Sequence, residues 1–362
     1  MEASSMIRIA TVFSGIGAPE EALKQMKTPF ELVFACDNGE RELKLDYDTI
    51  MKKTEGFSED ERVSFVNQLY ANTRKLNYVK QSYFANNEVS DEQWYEDIRF
   101  INGEKYQGKV DILVGGSPCQ SFSTYGKKQG FEDTRGTLFF HYANLIKTIK
   151  PKAFIYENVI GLKTHDKGNT WKRIQEIFNE LDYNIFDAEL NAKDYDLPQN
   201  RLRVFVIGFK KDLGIDGYAF PKPVKLKRYA DEYLSKKIPK EYYLGKKGFE
   251  WVTQREKHQG RSRVNKDIIG CQTANQQFNW TGDFRLEEPS EDIRNDERIY
   301  KGEYEGRIVV ARKLMPEECL RLMGFRNFKI VVNDKQAYRQ SGNSIAVPVM
   351  KKLLKSVIER IE

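Results

Sequence analysis

A cysteine, a glutamate and a pair of arginines occur in this chain where one reaction could use all of them. Cys119 lies in Gly115-Gly116-Ser117-Pro118-Cys119-Gln120-Ser121-Phe122-Ser123, a small-residue run just past an apolar segment. Thiolate is the attacking form of cysteine, so backbone amides or a nearby cation in such a loop would favour addition to an electrophilic carbon. Glu157 follows Phe154-Ile155-Tyr156 and precedes Asn158-Val159. A carboxyl group at an apolar strand end can take a raised pKa and share a proton. Gln199-Asn200-Arg201-Leu202-Arg203 places two arginines on one side of an extended segment, because side chains two apart share a face. Their planar forks suit a phosphate or a base carbonyl. An isolated cysteine is usually an inert core group, and Cys36 and Cys319 keep that reading. A thiol, a carboxylate and two guanidiniums bound for one crevice fit it poorly.

Strand ends must bring these groups together. Residues 7–13 read as a buried strand, Ser14-Gly15-Ile16-Gly17-Ala18 as a turn, and Pro19-Glu20-Glu21 as the opening of a helix. Further apolar strands run from Glu31 to Cys36 before Asp37, from Val110 to Val114, from Ala153 to Tyr156, and over 204–209. Helical segments between them make an alternating α/β pattern, hence a mostly parallel sheet covered on both faces. Ligands of such sheets collect at the carboxyl ends of the strands. Gly15 and Gly17 would let a ligand approach the backbone, but glycine-rich first turns serve NAD, FAD and S-adenosylmethionine alike. Asp37 stands where an acid can accept from both hydroxyls of a ribose.

The organisation expected is a large domain over 1–209 with a charged helical insertion at about 46–76, a smaller domain over 210–330, and a segment over 331–362 returning to the first. The insertion carries no recognisable chemistry and reads as a solvated elaboration. From Lys210 to Gly306 the texture turns basic, aromatic and irregular. Arg255, Lys257, His258, Arg261 and Arg263 crowd one stretch, and Gly270 to Trp280, with Gln272 and Thr273, is amide-rich. Such a surface suits phosphate contacts and base-edge hydrogen bonds.

The 362 residues, 40% hydrophobic, can bury a sizeable core, and 59 Lys+Arg against 53 Asp+Glu leave a formal charge of +6. That excess fits a polyanionic partner without demanding one. No secretory signal and no long apolar run appear, which points to a soluble, cytoplasmic protein without a membrane span. Four scattered cysteines suit neither a disulfide framework nor a zinc knuckle, so no metal is expected.

Taken in order, Phe13-Ser14-Gly15-Ile16-Gly17, Gly116 to Ser123, Glu157-Asn158-Val159, Gln199 to Arg203 and Gln340-Ser341-Gly342-Asn343-Ser344 resemble the DNA cytosine-5 methyltransferase family of bacterial and phage restriction-modification type. Asp133-Thr134-Arg135-Gly136, Arg312-Lys313-Leu314, Pro316-Glu317-Glu318-Cys319 and Gly324-Phe325 extend the likeness over nearly the whole chain. The resemblance implies a Rossmann-like S-adenosylmethionine sheet with a smaller target-recognition domain, acting on double-stranded DNA as a monomer, with a cognate restriction endonuclease as a functional partner. It implies that Cys119 attacks C6 of a flipped cytosine, Glu157 contacts N3 and the exocyclic amine, Arg203 holds O2 and Arg201 supports the site. For the cofactor it implies Phe13, Ser14, Gly15, Gly17, Asp37, Asp97, Ile98, Pro118, Leu138, Asn343 and Ser344. For DNA, the residues taken are Gln120, Ser123, Arg255, Arg261, Arg263, Gln272 and Thr273. Ala18 stands where the family often has glycine, and Asn38 where an aromatic often stacks on adenine.

The chemistry agrees with this resemblance. C5 of cytosine is a poor nucleophile until a thiolate adds at C6, and the base must leave the stack to be reached. The competing readings are an RNA-directed member of the same family, a nicotinamide-dependent oxidoreductase and a catalytically silent DNA-binding protein. The second leaves Cys119, Glu157 and the arginines unexplained, and the third makes the Pro-Cys-Gln and Glu-Asn-Val sets surplus.

Overall fold

The computed structural model describes residues 6–118, 138–254 and 261–362. The chain divides into two compact units, one formed by Met1–Leu190, Leu202–Lys222 and Met350–Glu362, the other by Asn191–Arg201 and Pro223–Val349.

The first unit carries a seven-stranded sheet. Its strands are β1 (Ile7–Val12), β2 (Phe30–Cys36), β3 (Trp94–Tyr95), β4 (Ile112–Gly115), β5 (Ala153–Val159), β6 (Tyr183–Asn191) and β7 (Leu202–Lys210), in the order β3-β2-β1-β4-β5-β7-β6. From β3 to β5 all pairings are parallel, and β7 runs antiparallel to β5. A sheet whose central strands are apolar on both faces must be covered twice. Ile9, Ala10, Ile112, Leu113, Phe154 and Ile155 are all fully buried. Helix Leu138–Ile149 contributes Phe139, Tyr142 and Ile146 to that core. Over its Met350–Ile361 part the last helix buries Met350, Leu353, Leu354 and Val357, a spacing of one helical face.

Between β2 and β3 the chain makes helices Tyr47–Lys53, Glu59–Ala71 and Tyr78–Asn86. The second begins with a capping box in which Ser58 and Glu61 satisfy each other's backbone amides. The expected insertion is therefore helical, but it is not merely solvated: Ile50, Val66, Tyr70 and Phe100 form a small core of their own.

The second unit, irregular by sequence, holds a four-stranded sheet of β8 (Ser262–Val264), β9 (Gly282–Glu287), β10 (Gly302–Tyr304) and β11 (Arg307–Lys313) in the order β10-β11-β9-β8. Phe249, Val252, Phe284, Leu286 and Ala311 fill its core. β8 and β10, of three residues each, give no readable periodicity, which is part of why the texture looked irregular.

Candidate active site

The first turn is shaped by backbone. Phe13, Gly15 and Gly17 all take positive φ, at 53°, 54° and 84°. For Phe13 this left-handed conformation costs about 1 kcal/mol or more. Ser14 secures the turn, since its Oγ accepts from Cys36 N at 3.0 Å while its own N–H donates to Cys36 O at 3.1 Å. At Gly15 the place of an added Cβ is open, with only Phe13 O as near as 4.0 Å. A ligand can therefore lie against that backbone. At Gly17 a Cβ would fall 2.6 Å from Asn87 Nδ2, so here glycine serves packing.

Asp37 sits just past β2 with both oxygens engaged on one side. Gly15 N–H donates to Oδ2 at 2.9 Å and Gly39 N–H to Oδ1 at 2.8 Å. Burial pushes its pKa up, against the pull of those two amides. A carboxylate has about four lone-pair sites, so two further donors can be accepted, the number a ribose diol presents. Asp97 differs. Its carboxylate takes Arg99 N, Nε and Nη2 and, at 2.8 Å, the Tyr70 hydroxyl. Ile98 beside it is buried.

Glu20 went unnoticed by sequence reasoning. An acid in a first helical turn reads as compensation of the helix dipole, yet Glu20 is 1% exposed and accepts from Thr11 Oγ1 at 3.0 Å and Tyr83 OH at 2.6 Å. Burial raises its pKa. The carboxyl thus ties the glycine turn to helix Tyr78–Asn86.

The chain leaves β4 over Gly116, where a Cβ would lie 2.7 Å from Glu157 O. Ser117 Oγ meets Tyr156 OH at 2.9 Å, and Asn158 Nδ2 donates to Ser117 O at 2.8 Å. Pro118 is exposed, and Leu138 resumes the described chain against the main core. Cys119, Gln120 and Ser123 lie outside the described residues, as does Arg255. Glu157 and Arg203 are diagonal neighbours across β5 and β7, where Val159 pairs with Arg203. Arg203 Nε lies 3.2 Å from Glu157 Oε1, and each side chain is 14% exposed. The ion pair is thus largely shielded.

In the second unit most of the expected contact residues face inward. Arg201, 3% exposed, donates to Gln272 O at 2.8 Å, Gly342 O at 3.0 Å and Ser344 O at 2.6 Å. It ties the Asn343-Ser344 turn to the amide-rich segment. Asn343 itself is exposed. Gln272 is buried and donates to Cys319 O at 3.0 Å, while Gln276 reaches Ser341 Oγ at 2.8 Å. Arg263 forks onto Asp283 at 3.0 and 2.8 Å. Thr273 and Arg261 are exposed. Arg261 shares a cleft of about 450 Å³ with Lys313, Trp251 and Trp280, whose rings lie 5.6 Å apart.

Phe13 to Gly17, Asp37, Asp97, Ile98, Pro118, Leu138, Glu157 and Arg203 therefore belong to the first unit, and Arg201, Arg261, Arg263, Gln272, Thr273, Asn343 and Ser344 to the second. Among the described residues no cluster of His, Cys, Asp or Glu is placed to hold a metal ion. None of their helices is long and apolar enough to cross a membrane.

A glycine turn, a strand-end carboxylate and a Glu–Arg pair at the ends of one parallel-rich sheet make a candidate ligand site of the α/β class. The profile of the family described as C-5 cytosine-specific DNA methylase matches residues 7–359, and the chain belongs to that family. That is the DNA cytosine-5 methyltransferase family the resemblance implied. The Type II methyltransferase M1.ScrFI of Lactococcus lactis subsp. cremoris is 40% identical over 262 residues, 70% of this chain and 63% of that protein. The Type II methyltransferase M.HpaII of Haemophilus parainfluenzae is 38% identical over 272 residues, 70% of this chain and 73% of its own length. In fold, the chain is similar to the Dnmt2 methyltransferase of S. pombe, with a TM-score of 0.64 and 17% identity over 98% of each chain.

Proposed function

We propose that this protein transfers the methyl group of S-adenosylmethionine to C5 of a cytosine flipped out of a specific duplex DNA sequence, through an adduct between Cys119 and C6. The supporting observation is the Glu157–Arg203 pair beside Asn158, whose amide holds the carbonyl of Ser117, two residues before the thiol.

In this reading the Cys119 sulfur bonds to C6, the C5–C6 π pair shifts to C4–C5, and the C4–N3 π pair takes up a proton at N3. Glu157 shares a proton with N3 and accepts from the exocyclic amine. Arg203 keeps the Glu157 carboxyl oriented and donates to O2. C5 thereby becomes nucleophilic. Loss of the C5 proton later restores the double bond and expels the thiolate. Arg201 supports the Asn343-Ser344 turn by fixing the Gly342 and Ser344 carbonyls. S-adenosylmethionine, when bound, supplies the electrophilic sulfonium methyl. Gly15 offers it an open backbone, Asp37 two acceptor positions for its ribose, and Phe13, Ile98, Pro118 and Leu138 apolar surface, with Asn343 and Ser344 completing the set. Asp97, its carboxylate filled by Arg99 and Tyr70, contributes by holding Ile98 in place.

DNA would be read by Arg261 and Thr273 and, from outside the described residues, by Gln120, Ser123 and Arg255. Arg263 and Gln272, committed to internal partners, support that surface. We take the protein to act as a monomer, in the cytoplasm at the nucleoid, alongside a cognate restriction endonuclease.

The test offers tritiated S-adenosylmethionine with duplex DNA or with total RNA. Label is expected in DNA, to be lost with Cys119→Ser, and duplex carrying 5-fluorocytosine at the target should be trapped at residue 119. Label in RNA alone, or substantial turnover by the serine variant, overturns the reading.

A further inference from the structure

The helical insertion between β2 and β3 reaches both stretches of chain that flank the proposed cofactor position. Its link is Tyr70, in the last turn of helix Glu59–Ala71 and 1% exposed. The Tyr70 hydroxyl donates to Asp97 Oδ2 at 2.8 Å. Its carbonyl accepts from Arg41 Nη1 at 3.1 Å, and the Arg41 guanidinium lies over its ring at 4.8 Å. Arg41 in turn donates from Nε to Asn38 O at 2.8 Å and pairs with Glu96. One insertion side chain thus stands between Asp37-Asn38 and Glu96-Asp97-Ile98.

Two further facts exclude a decorative role. Tyr70 is packed with Ile50, Val66 and Phe100, so its hydroxyl is held from behind by an apolar cluster rather than left free to rotate into solvent. Asn77, just beyond the insertion, donates both to Asp37 O and to Glu96 Oε2 at 2.9 Å, a second tie between the same two stretches. Asn38 meanwhile spends its amide on Arg41 O at 3.0 Å. This wall is stiffened by hydrogen bonds behind it, not by an aromatic face at position 38.

We propose that Tyr70 is a positioning residue for S-adenosylmethionine, holding Asp97 and, through Arg41, Asn38, so that the Asp37 carboxylate and the Ile98 backbone keep one fixed spacing. The inference rests on the cofactor assignment above. The insertion is then part of the cofactor site, and its hydroxyl acts before chemistry begins.

The full-length Tyr70→Phe variant removes one oxygen. Isothermal titration with S-adenosylmethionine and with S-adenosylhomocysteine should show both binding about tenfold more weakly, the size expected for a hydrogen bond to a buried charged group. KM for S-adenosylmethionine should rise by the same factor, with kcat at saturation within about twofold, the pattern of lost ground-state binding. Wild-type affinity in Tyr70→Phe, or a fall in kcat at unchanged KM, overturns the proposal. Hydrogen exchange of the wild-type chain needs no variant: S-adenosylmethionine should protect amides of Glu59–Ala71, and unchanged exchange there counts against it. Failure of the wild-type chain to bind S-adenosylmethionine sinks the cofactor assignment together with this inference, whereas wild-type binding with an unaltered variant sinks this inference alone.

Discussion

At the strand ends of the seven-stranded sheet, Asp37 keeps acceptor capacity beyond its two backbone amides, and the Glu157–Arg203 pair keeps some exposure. In the four-stranded unit, by contrast, Arg201, Arg263 and Arg312 direct terminal guanidinium donors to carbonyls and carboxylates of their own fold. Arg312, 1% exposed, holds the fully buried Glu318. A charged residue at the edge of a site differs in this from one enclosed by partners of its own fold. Basic composition alone does not say which.

The comparison breaks first at Glu157. Glu157→Gln should lower kcat by about 10²–10⁴-fold, the range for a lost proton-sharing group, while the melting temperature stays near wild type. A variant that melts early but turns over normally would reverse the roles assigned to the two regions. Arg312→Met should do the opposite. Leaving Glu318 charged and buried without its partner costs about 3–5 kcal/mol, readable as an early chemical-denaturation midpoint. A stable Arg312→Met protein would show that the second unit does not depend on its internal cations.

His141 sharpens the contrast within the first unit. Burial lowers its pKa from 6.5 to about 4, so the folded chain takes up this proton only at lower pH than the unfolded chain does. Its contribution is present above pH 6.5 and fades as pH falls toward 4, by roughly 1–3 kcal/mol. His141→Gln should flatten the acid limb of stability across that window, and an unchanged limb would remove His141 from the account. The smallest effect is expected at Arg261. Arg261→Ala should weaken DNA binding by about 1 kcal/mol and reduce the salt slope by about one, uniformly across sequences. If Arg263→Ala produces that signature and Arg261→Ala does not, the division between open and spent arginines fails.

Much of the first unit was readable beforehand because its strands are apolar runs closed by glycine or acid: β1 before the glycine turn, β2 before Asp37, β5 through Glu157. β3, of two residues, and β6, with its mixed exposure, leave no comparable signal. That β7 runs antiparallel to β5 was likewise illegible, since orientation depends on which strand the chain meets. In the second unit, Gln272 and Gln276 look like surface amides. They are buried because carbonyls of helix ends and turns there need donors. Glu20 was missed for the complementary reason: only Thr11 and Tyr83, distant in sequence, reveal that its carboxyl faces inward.

Met350–Glu362 completes the first unit after the chain has passed through the second. On the ribosome, the seven-stranded sheet would therefore emerge long before the last helix of the same unit. The first unit stays unfinished until that helix has emerged, and a chain stalled before residue 350 would lack the buried side chains of Met350, Leu353, Leu354 and Val357.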